Sequence, residues 1–86
     1  MNHVVYILYS LSDRKLYVGC TSNLTKRLSA HNLGLVVSTK HRRPLQLIHT
    51  EEYPEATTAY GREKFLKSLW AGRFKKKLIE KMKKGN

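Results

Sequence analysis

His3-Val4-Val5-Tyr6-Ile7-Leu8-Tyr9, then Ser10-Leu11-Ser12-Asp13, then Lys15-Leu16-Tyr17-Val18-Gly19-Cys20-Thr21 is the stretch from which the fold can be read. The first run is almost continuously apolar, the pattern of a strand covered on both faces and therefore central in its sheet. The run from Lys15 to Thr21 has the same strand character, and the short polar segment between them predicts a hairpin. With the turn centred between Leu11 and Ser12, Ser10 faces Asp13, Tyr9 faces Arg14 and Tyr6 faces Tyr17. Directly opposed residues share a sheet face, so two phenol hydroxyls point to one spot.

Outward from the hairpin, Ser22 or Asn23 offers a helix N-cap, and the spacing after it predicts a helix to about Asn32, ended by Gly34. Residues 34–44 read as a polar loop. Pro44 disfavours helix at Arg43 and opens Leu45 to Glu52 as a third strand. Pro54 precedes a helix expected over Glu55 to Trp70, and after Gly72 a last one over Arg73 to Lys84, with Phe74, Leu78 and Met82 at helical spacing. The order strand, strand, helix, strand, helix, helix describes an α+β fold, with the first strand in the middle of a 2-1-3 sheet.

At 86 residues the chain suits one domain, 1–86, with an adequate but not generous core. Seventeen Lys+Arg against six Asp+Glu give a formal charge of +11, which favours polyanionic partners through counterion release. Nucleic acid is the first candidate, ahead of a membrane surface, and self-repulsion favours a monomer. Cys20, the single cysteine, forms no internal disulfide, and Met1 leads straight into strand-like sequence without an apolar signal core, so the reducing cytoplasm is the expected compartment. One cysteine and four scattered histidines exclude a Cys/His zinc framework; any metal must be held by oxygen.

Leu24, Arg27, Leu28 and His31 fall on one helical stripe, which puts an arginine and a histidine on an inward face. As ordinary residues, Arg27 snorkels at the stripe edge and His31 is a boundary residue. As a site, Arg27 neutralises a phosphate bidentately and His31, one turn on, accepts or relays a proton. Glu63 lies in the apolar stripe of its helix with Ala59, Tyr60 and Leu66. A carboxylate there is either paired, with Arg27 or with Lys67 at i,i+4, or it binds a metal. The other acids are dispersed, so one metal on one Glu is what the inventory permits. For backbone phosphates the loop cations Lys40, Arg42 and Arg43 are better candidates than the C-terminal run from Arg73 to Lys84, which suits a solvated helix face.

Val4-Val5-Tyr6, Tyr17-Val18-Gly19, Asn23-Leu24-Thr25-Lys26-Arg27-Leu28 with His31-Asn32, Ser38-Thr39-Lys40 with Arg43-Pro44, and Arg62-Glu63-Lys64-Phe65-Leu66-Lys67 follow one another along nearly the whole chain. In this order they resemble the GIY-YIG nuclease superfamily, and within it the small stand-alone bacterial proteins of the UPF0213 kind. The resemblance implies a three-stranded antiparallel sheet flanked by helices. It implies a site of Tyr6, Tyr17, Arg27, His31 and Glu63, with Glu63 binding one divalent ion, Mg²⁺ or Mn²⁺; Lys67 joins the loop cations as a candidate for nucleic-acid contact. The implied reaction is hydrolysis of DNA phosphodiesters with little intrinsic sequence preference, in DNA repair or processing. The alternative is a catalytically weak module that binds DNA or RNA. Two positions depart from the pattern: Val4 replaces the first glycine, and Cys20 stands where related repair nucleases carry a basic residue. An asparagine often follows the metal-binding Glu in the family, and beyond Glu63 this chain has only Asn86. Separate DNA-recognition domains are absent from the sequence.

Overall fold

The structure is a computed structural model that describes residues 2–84, so Asn86 lies outside the described residues. Strands β1 (His3–Ser10), β2 (Leu16–Thr21) and β3 (Leu45–Tyr53) and helices α1 (Leu24–Asn32), α2 (Ala56–Lys67) and α3 (Gly72–Lys84) follow in the order β1-β2-α1-β3-α2-α3. They form an α+β fold whose antiparallel sheet has the order β2-β1-β3. As its unbroken apolar run requires, β1 is central, and every residue from Val4 to Ser10 is buried.

The hairpin corrects the expected register. Tyr6 pairs with Gly19, and Tyr17 pairs with Leu8. The polar residues of the turn lengthen it: Ser10 Oγ accepts the N–H groups of Ser12 and Asp13 at 3.2 and 3.1 Å, and Asp13 Oδ1 accepts that of Lys15 at 2.9 Å. Arg14 takes a φ of 59°, and Ser10 N–H closes onto the Lys15 carbonyl at 2.9 Å. The turn centre thus moves one residue along the chain and each partner moves by two. Because side chains alternate with a period of two, the slip leaves Tyr6 and Tyr17 on the same face.

That alternation divides the molecule. Val5 and Ile7 point to one face and join Val18, Ala59, Leu66 and Ala71 in an apolar core, against which Leu16, Ile48, Phe74 and Leu78 pack. Tyr6 and Leu8 point to the other face, toward α1. The end of α2 differs from the expectation of a helix to Trp70: it stops at Lys67, where extended Ser68 bonds the Phe65 carbonyl through both its N–H, at 3.0 Å, and its hydroxyl, at 2.5 Å. A serine offering the backbone this local alternative competes with helix. The 3-10 turn Leu69–Ala71 follows, burying Ala71 and leaving Leu69 and Trp70 outside.

Helix α1 is capped by Asn23, whose side-chain oxygen accepts the Lys26 N–H at 3.1 Å. At its other end Gly34, at φ 76°, lets its own N–H reach the His31 carbonyl and that of Leu35 reach Ala30. The chain then turns back beneath the helix, burying Val36 and Thr39 before β3.

Candidate active site

On the α1 face, Tyr6 and Tyr17 stand diagonally, with ring centroids 6.4 Å apart. Gly19 makes room for this. A Cβ built there would lie 2.4 Å from both Cζ and Oη of Tyr6, so the phenol lies across the glycine. Helix α1 supplies Arg27 and His31 from one stripe, as their spacing requires. Arg27 Nε donates to Tyr6 Oη at 3.4 Å, and His31 Nε2 lies 2.9 Å from the same oxygen. The imidazole also meets the Tyr17 ring edge-on, with centroids 5.2 Å apart. Its other nitrogen, Nδ1, lies 2.7 Å from Thr39 Oγ1.

Arg27, Tyr6, His31 and Thr39 therefore form one continuous row, of which Tyr6, His31 and Thr39 are wholly enclosed. Burial, with the nearby Arg27 charge, holds His31 below the ordinary imidazole range, so the ring is neutral at physiological pH. Burial likewise raises the Tyr6 phenol, against the pull of its Arg27 hydrogen bond. The same hydrogen bond, opposed by partial burial, raises the guanidinium of Arg27, which stays charged throughout. Beside Arg27 opens a cleft of about 440 Å³ lined by Thr21, Ser22, Asn23, Lys26, Arg27 and Ala30.

Glu63, on α2, pairs with Lys67 at 3.2 Å, one of the two pairings its sequence position allowed, and its side chain keeps 21% exposure. Its negative charge acts on Tyr6 and on Cys20; burial first and then Glu63 push the Cys20 thiol up. Among the described residues no three His, Cys, Asp or Glu side chains gather into a metal cage. Glu63 offers one carboxylate, paired with Lys67, where hard ions such as Mg²⁺ or Mn²⁺ are commonly held through one or two carboxylates plus water and substrate phosphate.

The loop cations differ in how free they are. Arg42 is tied into the hairpin, with Nε 2.7 Å from Asp13 Oδ2 and its carbonyl accepting the Ser10 hydroxyl at 2.6 Å. That ion pair draws the Asp13 carboxyl down to about 2. Arg43 folds over Gly34 and donates to the carbonyls of Lys40 and Asn32. Lys40 is exposed.

Two features escaped the sequence reading. Thr39 sits in a polar loop, and only the closing of that loop beneath α1 turns its hydroxyl inward; its place in Ser38-Thr39-Lys40 was the available signal. On the opposite face Glu51 accepts Arg62 Nε and Nη2, His49 Nε2 and the Tyr53 hydroxyl at 2.7 to 3.1 Å. Arg62 in turn lies over the rings of Phe65 and Phe74, 5.3 and 5.2 Å from their centroids. Burial alone would raise the Glu51 carboxyl, but these donors, Arg62 foremost, bring it down to about 2. The clamp locks α2 and α3 to β3, and so fixes the helix that carries Glu63.

Fold and site together define a class: a small α+β domain in which a tyrosine from each strand of a hairpin meets an arginine and a histidine from the helix that follows. The profile of the GIY-YIG catalytic domain matches residues 2–77, and the chain belongs to that family. Its relatives include a UPF0213 protein of Natronomonas pharaonis, 39% identical over 79% of this chain and 80% of the relative. Another, from Staphylococcus haemolyticus, is 37% identical over 91% of this chain and 94% of its own length. The solution NMR structure of a UPF0213 protein from Bacillus halodurans superimposes with a TM-score of 0.54 at 32% identity, covering 93% of this chain and 84% of that one. No described helix is long and apolar enough to cross a membrane.

Proposed function

We propose that this chain is a metal-dependent DNA endonuclease with little intrinsic sequence preference. The observation that carries the reading is the meeting of Tyr6, Tyr17, Arg27 and His31 beside a cleft, with the Glu63 charge acting at the same tyrosine. In this reading the phosphodiester lies in the cleft, with its charge facing Arg27 and Lys26. Arg27, the one permanently charged member of the row, stabilises the charge that builds on phosphorus as water attacks. The phenols of Tyr6 and Tyr17 orient that water and the phosphate oxygens. A divalent ion held by Glu63 would supply Lewis-acid stabilisation of the phosphate and of the leaving oxygen. With a formal charge of +11, affinity comes from the backbone and falls steeply with salt.

The Glu63–Lys67 pair, which shields the carboxylate, favours one second reading: a module that binds nucleic acid through the same surface without cutting it. A cleavage screen over duplex, flapped, branched and single-stranded DNA with Mg²⁺ or Mn²⁺ separates the two. Cutting that disappears in Glu63→Ala and in Arg27→Ala, with both variants folded, supports the nuclease. Undiminished cutting by Glu63→Ala rejects it, and salt-dependent binding with no cutting of any substrate favours the module.

A further inference from the structure

The row Arg27–Tyr6–His31–Thr39 has a hydrogen to spare. Its three contacts each take one hydrogen, while its members bring four: Arg27 Nε–H, the Tyr6 hydroxyl, one ring N–H of the neutral imidazole and the Thr39 hydroxyl. Arg27 can only donate, so the hydrogen left outside the row belongs to Tyr6 or to Thr39, and which one it is sets the tautomer of His31.

The two ends are unlike. Thr39 is wholly enclosed, and among the described residues His31 Nδ1 is the one hydrogen-bond partner of its hydroxyl. A hydrogen left over there would be a buried donor facing nothing, the most unfavourable state for a hydroxyl. Tyr6 is enclosed as well, but its neighbours at the hydroxyl end, Arg27 and Tyr17, are partly exposed, and Gly19 beneath it has no side chain. A hydrogen left over at Tyr6 lies directly behind Arg27 and Tyr17, side chains that solvent does reach.

We propose that Thr39 is a positioning residue: its hydroxyl donates to His31 Nδ1 and fixes the imidazole as the Nε2–H tautomer, which donates to Tyr6 Oη. Both His31 and Arg27 then donate to the phenol oxygen, and the phenol's own hydrogen is the one left outside the row, at its Arg27–Tyr17 end. His31 is thereby a donor to Tyr6 in the resting site rather than the acceptor of its proton. Tyr6 meets a phosphodiester as a hydrogen-bond donor to a phosphate oxygen. This last consequence rests on the nuclease reading, whereas the tautomer does not.

Long-range proton–nitrogen NMR of the histidine rings near neutral pH tests it. Wild-type His31 should show Nε2 in the protonated range and Nδ1 in the unprotonated range, with a slowly exchanging Thr39 hydroxyl proton. The reverse assignment, or a doubly protonated ring, overturns the proposal. Thr39→Val should lose the tautomer preference and Thr39→Ser should restore it; a folded Thr39→Val protein that keeps the Nε2–H pattern also overturns it. If Thr39→Val does not fold, the wild-type ring nitrogens alone decide the direction. In a cleavage assay Thr39→Val should lower kcat about tenfold with KM unchanged, and Thr39→Ser should recover it. A wild-type protein that shows the Nε2–H pattern but cuts no DNA rejects the nuclease reading and leaves the tautomer standing.

Discussion

The two faces of the sheet are built from alternate residues of one strand and follow opposite rules. Val5 and Ile7 face α2 and α3 across an apolar core, where stability comes from area removed from water and any well-packed hydrocarbon would serve. Tyr6 faces α1 in an equally enclosed setting, but its surroundings are four polar side chains joined in a row by three hydrogen bonds. A polar row of this kind, enclosed at low dielectric, tolerates few substitutes. The α2–α3 face has its own polar device, the Glu51–Arg62 clamp, yet there one carboxylate only accepts and its partners only donate to it, so the direction of every bond is fixed by charge. One face holds the helices in place; the other holds protons in place.

The comparison can be broken from either side. Ile7→Ala, a truncation in the apolar core, should have the largest effect, a loss of about 2–5 kcal/mol by chemical denaturation. A loss below about 1 kcal/mol would mean that the α2–α3 face does not dominate stability. Gly19→Ala should come next, destabilising by about 1–3 kcal/mol because the new methyl overlaps the Tyr6 ring. It should also separate Tyr6 Oη from His31, seen as a shift of the His31 ring nitrogens. An unshifted ring would show that the α1 face is less constrained than its geometry indicates.

Glu51→Gln should cost about 1–3 kcal/mol at neutral pH, by weakening hydrogen bonds to a charged acceptor. Its pH dependence sharpens the contrast. A carboxyl at about 2 in the folded chain against an ordinary 4.5 contributes stability that is complete above 4.5 and is lost as pH falls toward 2. The gap between wild type and Glu51→Gln should therefore close over that window, and a gap that stayed constant would remove Glu51 as the charged hub. The smallest effect belongs to Lys67→Ala. Its exposed i,i+4 pair with Glu63 should contribute no more than about 0.5 kcal/mol, so the melting temperature should barely move.

Much of this was legible in the chain. The apolar run of β1 announces a central strand, and Asn23 and Gly34 bracket α1. The i,i+4 spacing of Arg27 and His31 sends both to one face. What failed to show was set by interactions between segments or by competing local bonds. Ser10 and Asp13 lengthened the hairpin turn and displaced the register by two, and Ser68 ended α2 early. Glu51 is one of the dispersed acids of the sequence, and nothing local tells that Arg62 will lie against it.

By itself the sequence determined the strand and helix order, the family, and the sharing of one sheet face by Tyr6 and Tyr17. Periodicity fixes these, and a period of two survives a register slip of two. Only the tertiary structure decided that the Tyr6 ring lies over Gly19, that Arg42 is spent on Asp13, and that Thr39 completes the row behind His31. These depend on where loops close, which is set by distances and hydrogen-bond partners that residue spacing does not encode.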